Sequence, residues 1–158
     1  MPIVLVFVLV LLGSGCQERP TKVTLEGENP PTFKLTGSGS LITLTIGIQS
    51  QDKSLPAAKR VTKLWQLGPT TRDGRSVEDV DVITYGIVPD GYKQTFPAEG
   101  APAPLKAGMY FSYYVETINA PHASGMFELK NGQAVRAYGL TCSGIENGKD
   151  VEYPCDEN

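Results

Sequence analysis

The chain is poor in the residues that carry most enzymatic and metal chemistry. It has one histidine, His122, and three cysteines, Cys16, Cys142 and Cys155. Nucleophilic catalysis needs a nucleophile beside a general base. His122 lies in Asn119-Ala-Pro-His-Ala-Ser124, a turn-rich stretch. Its nearness to Ser124 in sequence is no catalytic arrangement, because triads are assembled from distant positions. It reads as a surface loop histidine. No catalytic residue, cofactor or metal is therefore expected. With so little histidine and thiol, a metal would be left with carboxylates, of which Glu78-Asp79-Val80-Asp81 is the densest group. Calcium loops space such ligands around a glycine turn with a closing glutamate, whereas this group reads as the solvated start of a strand.

Other absences narrow the class further. Positive charge is not in excess: 14 basic against 17 acidic side chains leave −3, which argues against a nucleic-acid partner. Gly37-Ser-Gly39 precedes a strand, not a helix whose N-terminus could hold an anion, so there is no phosphate loop. Internal repeats and low-complexity tracts are missing. The longest apolar run, Ile3 to Leu12, is about half the ~20 residues that a membrane span requires. Such a run fits the apolar region of a signal peptide instead.

What is present begins with that run. It ends in Leu12-Gly13-Ser14-Gly15-Cys16, which resembles the lipobox of bacterial lipoproteins, where small residues precede a cysteine. The resemblance implies that the Cys16 thiol is joined to diacylglycerol and that the chain is cut just before it. Residues 1–15 would then be a signal peptide, 16–21 a lipidated tether and 22–158 the folded domain. Two or three acyl chains would hold the protein firmly at about 0.8 kcal/mol per buried CH₂. Gln17 follows the cysteine where aspartate would suggest retention at the inner membrane. The implied address is the cell envelope, on the outer membrane facing the periplasm if the cell has one. An ordinary secreted protein cut near Gly15, with Cys16 an incidental thiol, is the competing reading. Lipidating Cys16 leaves an even pair, Cys142 and Cys155, and exported proteins rarely carry an odd thiol. That pair is expected to form a structural disulfide contributing roughly 3 kcal/mol by loop closure.

The rest of the chain reads as strands and turns. Lys22–Glu26 and Thr32–Thr36 alternate, and Leu41–Gln49 sets Ile42, Leu44, Ile46 and Ile48 against threonine and glycine. Alternation of this kind buries one face of a strand. Residues 52–60 are the only stretch able to hold a helical turn, limited by Pro56. Strands are expected over Val61–Leu67 and over Val80–Val88, where a change of apolar parity suggests a bulge. Others are expected around Lys93–Phe96, Met109–Ile118, Met126–Lys130 and Gln133–Leu140. Asn131-Gly132 between the last two is a strong hairpin signal, and Asn147-Gly148 lies between the two late cysteines. About eight or nine short strands joined by frequent turns indicate one antiparallel β-sandwich.

Ala107-Gly108-Met109-Tyr110 resembles the corner before a late core strand in immunoglobulin-like domains, with Trp65 as the tryptophan of a middle strand. The corner would point Tyr110 and Ser112 inward. The apolar pattern would instead point Met109, Phe111, Tyr113 and Val115 inward, so whether Tyr110 or Phe111 faces the core stays open here. Either way, Tyr110 and Tyr114 share a face. With Trp65 or Tyr85 they could form a contact patch, since such side chains present apolar faces with polar tips. Lys53, Lys59, Arg60 and Lys63 form a modest basic group, read as a solvated face. The expected function is a non-enzymatic binding or assembly module for another envelope protein. The alternatives are a glycan binder, or a glycan-acting hydrolase whose carboxylates cannot be paired from sequence.

Overall fold

A computed structural model of the chain describes residues 18–56 and 59–137, with the backbone alone of Thr141–Glu146 and Lys149–Pro154. The signal-peptide and Cys16 assignments, and Cys155, lie outside the described residues. In chain order the elements are β1 (Lys22–Glu26), β2 (Thr32–Thr36), β3 (Ser40–Gln49), β4 (Val61–Pro69), β5 (Arg75–Ser76), the single turn of helix α1 (Val77–Val80), β6 (Val82–Thr84), β7 (Tyr92–Phe96), β8 (Tyr110–Ile118), β9 (Ala123–Lys130), β10 (Gln133–Arg136), β11 (Thr141–Glu146) and β12 (Lys149–Pro154). The described residues are thus mostly β, and every strand pair among them is antiparallel.

A small sheet of order β1-β2-β6 accompanies a large one of order β10-β9-β8-β3-β4-β7, with β5 paired to the start of β3. One bridge, Glu28 to Gln133, connects the neighbourhoods of β1 and β10. β11 and β12 form a separate hairpin. Alternation explains the packing. In β2, Phe33 and Leu35 are buried while Lys34 and Thr36 are exposed. In β8, Phe111, Tyr113 and Val115 are buried, whereas Tyr110 and Tyr114 are not. The apolar parity therefore decides the orientation of β8: Phe111 faces the core and Tyr110 faces away.

The two inward faces meet through aromatic rings. Phe33 of the small sheet stands edge-on to Tyr113 and Phe127 of the large one, with centroids 5.9 and 5.8 Å apart. Offset and edge-on pairs at such distances stabilise beyond simple area burial. Around them lie Leu35, Leu44, Ile46, Trp65, Leu67, Ile83 and Phe111, all at most 1 % exposed.

Three local features depart from the sequence pattern. First, the alternation in β3 is broken where Ile42 is the extra residue between Leu41↔Thr117 and Thr43↔Glu116. This bulge turns Leu41 into the core and leaves Ile42 half-buried. Second, 52–60 holds only a tight turn after Pro56, in which the Lys59 amide donates to the Pro56 carbonyl at 2.8 Å, and the α-helical turn lies elsewhere. Ahead of Pro56, Asp52 accepts from the Ser54 amide at 2.9 Å and hydroxyl at 2.6 Å, and those bonds hold its carboxyl below the usual range. The helix is α1, where Val77 and Val80, three apart, are both buried and the Ser76 hydroxyl accepts from the Glu78 amide. Third, the parity change within Val80–Val88 is a change of element rather than a bulge. Asp81, at φ 56, ends the helix and starts β6, which places Ile83 and then Tyr85 inward. The hairpin at Asn131-Gly132 forms as its composition dictates, with both residues at positive φ and Lys130 opposite Gln133.

The chain joins the fold before β1. The Arg19 amide donates to the Ser38 hydroxyl at 2.8 Å, the Ser38 amide donates back to the Arg19 carbonyl at 3.2 Å, and the Thr21 amide donates to the Pro121 carbonyl at 3.2 Å. Thr21 is 2 % exposed. Arg19–Thr21, read from sequence as tether, are docked on the domain.

Candidate functional site

The outward face of the large sheet gathers the chemistry. Because Trp65 and Leu67 point inward, Gln66 between them points out. Cross-strand register then sets Ser124, Tyr114, Thr45, Gln66 and Phe96 in one row across β9, β8, β3, β4 and β7. Three strand spacings separate Tyr114 from Phe96, about 14 Å. The polar groups between them are mutually bonded: the Lys63 ammonium donates to the Gln66 side-chain oxygen at 2.8 Å, and the Gln66 side-chain amide N–H donates to the Thr45 hydroxyl at 3.1 Å. Lys63 also sits 5.8 Å from the centroid of the Phe96 ring, within cation–π range. At the other end the His122 ring lies 5.2 Å from that of Tyr114, tilted by 45°.

A second row holds Val135, Glu128 and Tyr110. Tyr110 and Tyr114 are four residues apart on β8, about 13 Å. Glu128 accepts from the Lys130 ammonium at 2.7 Å, and this hydrogen bond raises the Lys130 pKa. The pair is solvent-exposed on the lysine side, so it contributes little to stability.

Of the four aromatics expected to form a contact patch, the structure brings Tyr110 and Tyr114 to this face. Trp65 and Tyr85 are instead in the core, in ring contact with each other at 5.3 Å. Their polar tips are satisfied internally: the Trp65 indole N–H donates to Gln94 at 3.0 Å, and the Tyr85 hydroxyl donates to the Ala103 carbonyl at 2.7 Å. Phe96, Gln66, Thr45 and Val135 belong to the face but were not singled out by sequence. Parity was the available signal for Gln66. For Phe96, the bulge that makes Thr95 an extra residue between Gln66↔Phe96 and Leu67↔Gln94 hides it.

The remaining candidates are dispersed. Glu78 pairs with Arg19 at 2.5 Å, and the Asp79 carbonyl accepts from Arg75. Among the described residues no group of three or more His, Cys, Asp and Glu side chains is placed to hold a metal ion. Arg60 donates to the carbonyls of Leu55 and Lys53, and this basic loop lies at the end of β3 remote from Arg19. Cys142 is placed by its backbone opposite Tyr153, while its side chain lies outside the described residues.

Burial in the core makes two tyrosines harder to ionise. Tyr85 is pushed up to about 12 by desolvation, and Tyr92, whose hydroxyl donates to the Leu41 carbonyl at 2.9 Å, is raised for the same reason. A tyrosine ionises near pH 10 in the unfolded chain. Above that pH the unfolded state has lost a proton that the folded state keeps, so stability falls as pH rises. Tm is expected to hold below pH 10 and to fall between pH 10 and 12. Tyr85→Phe should flatten that fall in a series of thermal melts, and an unchanged slope would show that Tyr85 does not cause it.

In comparisons with known proteins, no family model, no curated protein and no solved structure matches this chain. What the face can do follows from its own side chains. It is mixed in character, with aromatic ends and a bonded polar centre.

Proposed function

We propose that this chain is a bacterial envelope lipoprotein, anchored through Cys16, that acts as a non-enzymatic binding or assembly module. Its partner is an envelope protein, received on the outward face of the large sheet. The observation that carries this reading is the exposure of Phe96, Tyr114 and Val135, at 40, 38 and 38 %, on that one face. Single exposed apolar residues are ordinary, whereas several presented on one sheet face offer a partner a set of separate contact points. Aromatic side chains of this kind are enriched where protein interfaces form.

The two sheets are read as an immunoglobulin-like antiparallel β-sandwich, supported by the buried Trp65 of β4 and by the rings of Phe33, Tyr113 and Phe127 between the sheets. A Cys142–Cys155 disulfide would staple the C-terminal hairpin, consistent with an oxidising envelope compartment. The location is the periplasmic side of an outer membrane, in a cell that has one. No cofactor, metal or nucleic acid enters this reading.

A second reading is favoured by the Thr45–Gln66–Lys63 ladder between Tyr114 and Phe96. Hydroxyl and amide groups flanked by aromatic rings suit an envelope glycan, whose sugars present both hydroxyls and apolar faces.

Crosslinking in living cells, followed by capture through a C-terminal tag, separates the two. One stoichiometric protein partner is expected, and Tyr114→Ser with Val135→Asp should reduce its capture at least tenfold by densitometry, on the order of 1.4 kcal/mol or more. Glycan fragments in place of protein would transfer the site to the second reading. Cys16→Ser is expected to move the protein from the membrane fraction to the soluble one; continued sedimentation with membranes would remove the anchor.

A further inference from the structure

We infer that the domain sits directly on its membrane, with one defined end against the lipid headgroups. This rests on the lipid at Cys16 proposed above and goes beyond it, because it assigns which surface meets the bilayer. The argument starts from chain length. Only Gln17 and Glu18 separate Cys16 from Arg19, and three Cα–Cα steps of 3.8 Å reach about 11 Å at most.

Arg19 is fixed at a known place. Its backbone is bonded in both directions to Ser38 in the turn between β2 and β3. Its guanidinium reaches Glu78 of α1. That ion pair is exposed and contributes about 0–1 kcal/mol at most, so it is not what holds the segment. Thr21 does more: it is buried, its amide bonds the Pro121 carbonyl, and its hydroxyl lies 3.2 Å from that of Thr117. Gly37 closes over it, with no room for a Cβ between its backbone and that of Pro20 and Thr21. The anchor is therefore joined to the fold by a short link that ends in a clamp.

The strand directions then say which end is near. β3 begins at this end with Ser40, and β8 arrives there with Ile118, its register partner. The near end thus comprises the turn at Gly37–Gly39, α1 and the turn at Asn119–His122. It presents Ile118, 42 % exposed, with exposed Pro121 and His122 beside it. Exposed apolar surface of this kind loses its contact with water when it meets the headgroup–acyl boundary. The far end carries the Asn131-Gly132 hairpin, the basic loop around Lys53 and Arg60, and Leu105, whose carbonyl accepts from Asn29 beside that hairpin. β3 alone spans about 33 Å at 3.3 Å per residue, so these groups stand well clear of the bilayer. The basic loop accordingly faces away from the membrane that holds the anchor.

The test uses the full lipidated chain, reconstituted in vesicles of phosphatidylethanolamine and phosphatidylglycerol. A photoreactive phenylalanine analogue replaces Ile118, Pro121, Ala103 or Asn131 in turn, and lipid adducts are read by mass spectrometry. Adducts at 118 and 121 are expected to exceed those at 103 and 131 at least fivefold. Inserting twenty Gly/Ser residues between Glu18 and Arg19 adds a coil of roughly 25 Å and should reduce the adducts at 118 and 121 severalfold without releasing the protein. Equal adducts at both ends, or no effect of the insertion, would overturn the inference while acylated Cys16 in the same spectra left the anchor standing. Unmodified Cys16 would overturn both.

Discussion

Phe33→Ala is expected to cost about 3–5 kcal/mol, the range for deleting a fully buried phenylalanine. Phe33 is 0 % exposed and is the one ring of the small sheet that touches both Tyr113 and Phe127 of the large sheet. Its loss removes apolar burial and leaves a cavity between two sheets whose backbones are each held by their own ladders, so neither can collapse readily into the space. A domain of this size has only about 5–15 kcal/mol of net stability. The substitution should therefore lower Tm by roughly 10–20 °C and shift the urea midpoint with little change of slope. Phe33→Leu, which keeps most of the volume, should cost markedly less. An alanine variant as stable as the parent would mean that the sheets are not held together at Phe33.

Gly74→Ala should be nearly as damaging, although it adds only a methyl group. Gly74 has φ +65, and a Cβ there would collide with the Leu41 carbonyl oxygen. The left-handed backbone alone costs roughly 1–2 kcal/mol for a residue with a Cβ, and forcing a backbone atom aside adds about 1–3. The same carbonyl accepts the Tyr92 hydroxyl, so moving it disturbs the pairing of β5 with β3 and the seat of Tyr92 together. Gly132 provides the comparison. It has φ +80 with nothing within 4 Å of an added Cβ, so Gly132→Ala carries the backbone cost alone. Chemical denaturation of both variants should place Gly74→Ala at least 1 kcal/mol below Gly132→Ala, which corresponds to overpacking at the low end. Equal costs would show that the 70–74 turn shifts freely and does not hold β5 in place.

Which parts of this architecture could be read in advance follows from the range of the forces involved. The strands of Lys22–Glu26, Thr32–Thr36 and the β8 region were legible because alternation is local: neighbouring side chains point to opposite faces whatever they later pack against. The hairpin at Asn131-Gly132 was legible for the same reason, since the left-handed preference of two residues is a property of those residues. α1 was not, because four residues are too few for helical periodicity to stand out, and its turn is held by burial of Val77 and Val80 beneath β2 and β3. The bulges at Ile42, Leu64 and Thr95 were equally hidden. A bulge depends on what the neighbouring strand requires opposite it, and that strand lies dozens of residues away.

The candidate face divides along the same line. Sequence alone determined that Tyr110 and Tyr114 share one side of a strand opposite Phe111 and Tyr113, and that only two residues lie between Cys16 and Arg19. It could not place Trp65 and Tyr85, whose polar tips find Gln94 and Ala103 only after distant loops have closed over them. Nor could it assemble Tyr114, Thr45, Gln66 and Phe96 into one row, because register is set where strands meet. The clamp on Arg19–Thr21 belongs to the same group, since its partners, Ser38, Thr117 and Pro121, come from two remote turns and the end of β8. Side-chain direction is fixed by local backbone geometry, whereas proximity across strands is fixed by burying a shared core, and only the tertiary structure decided that.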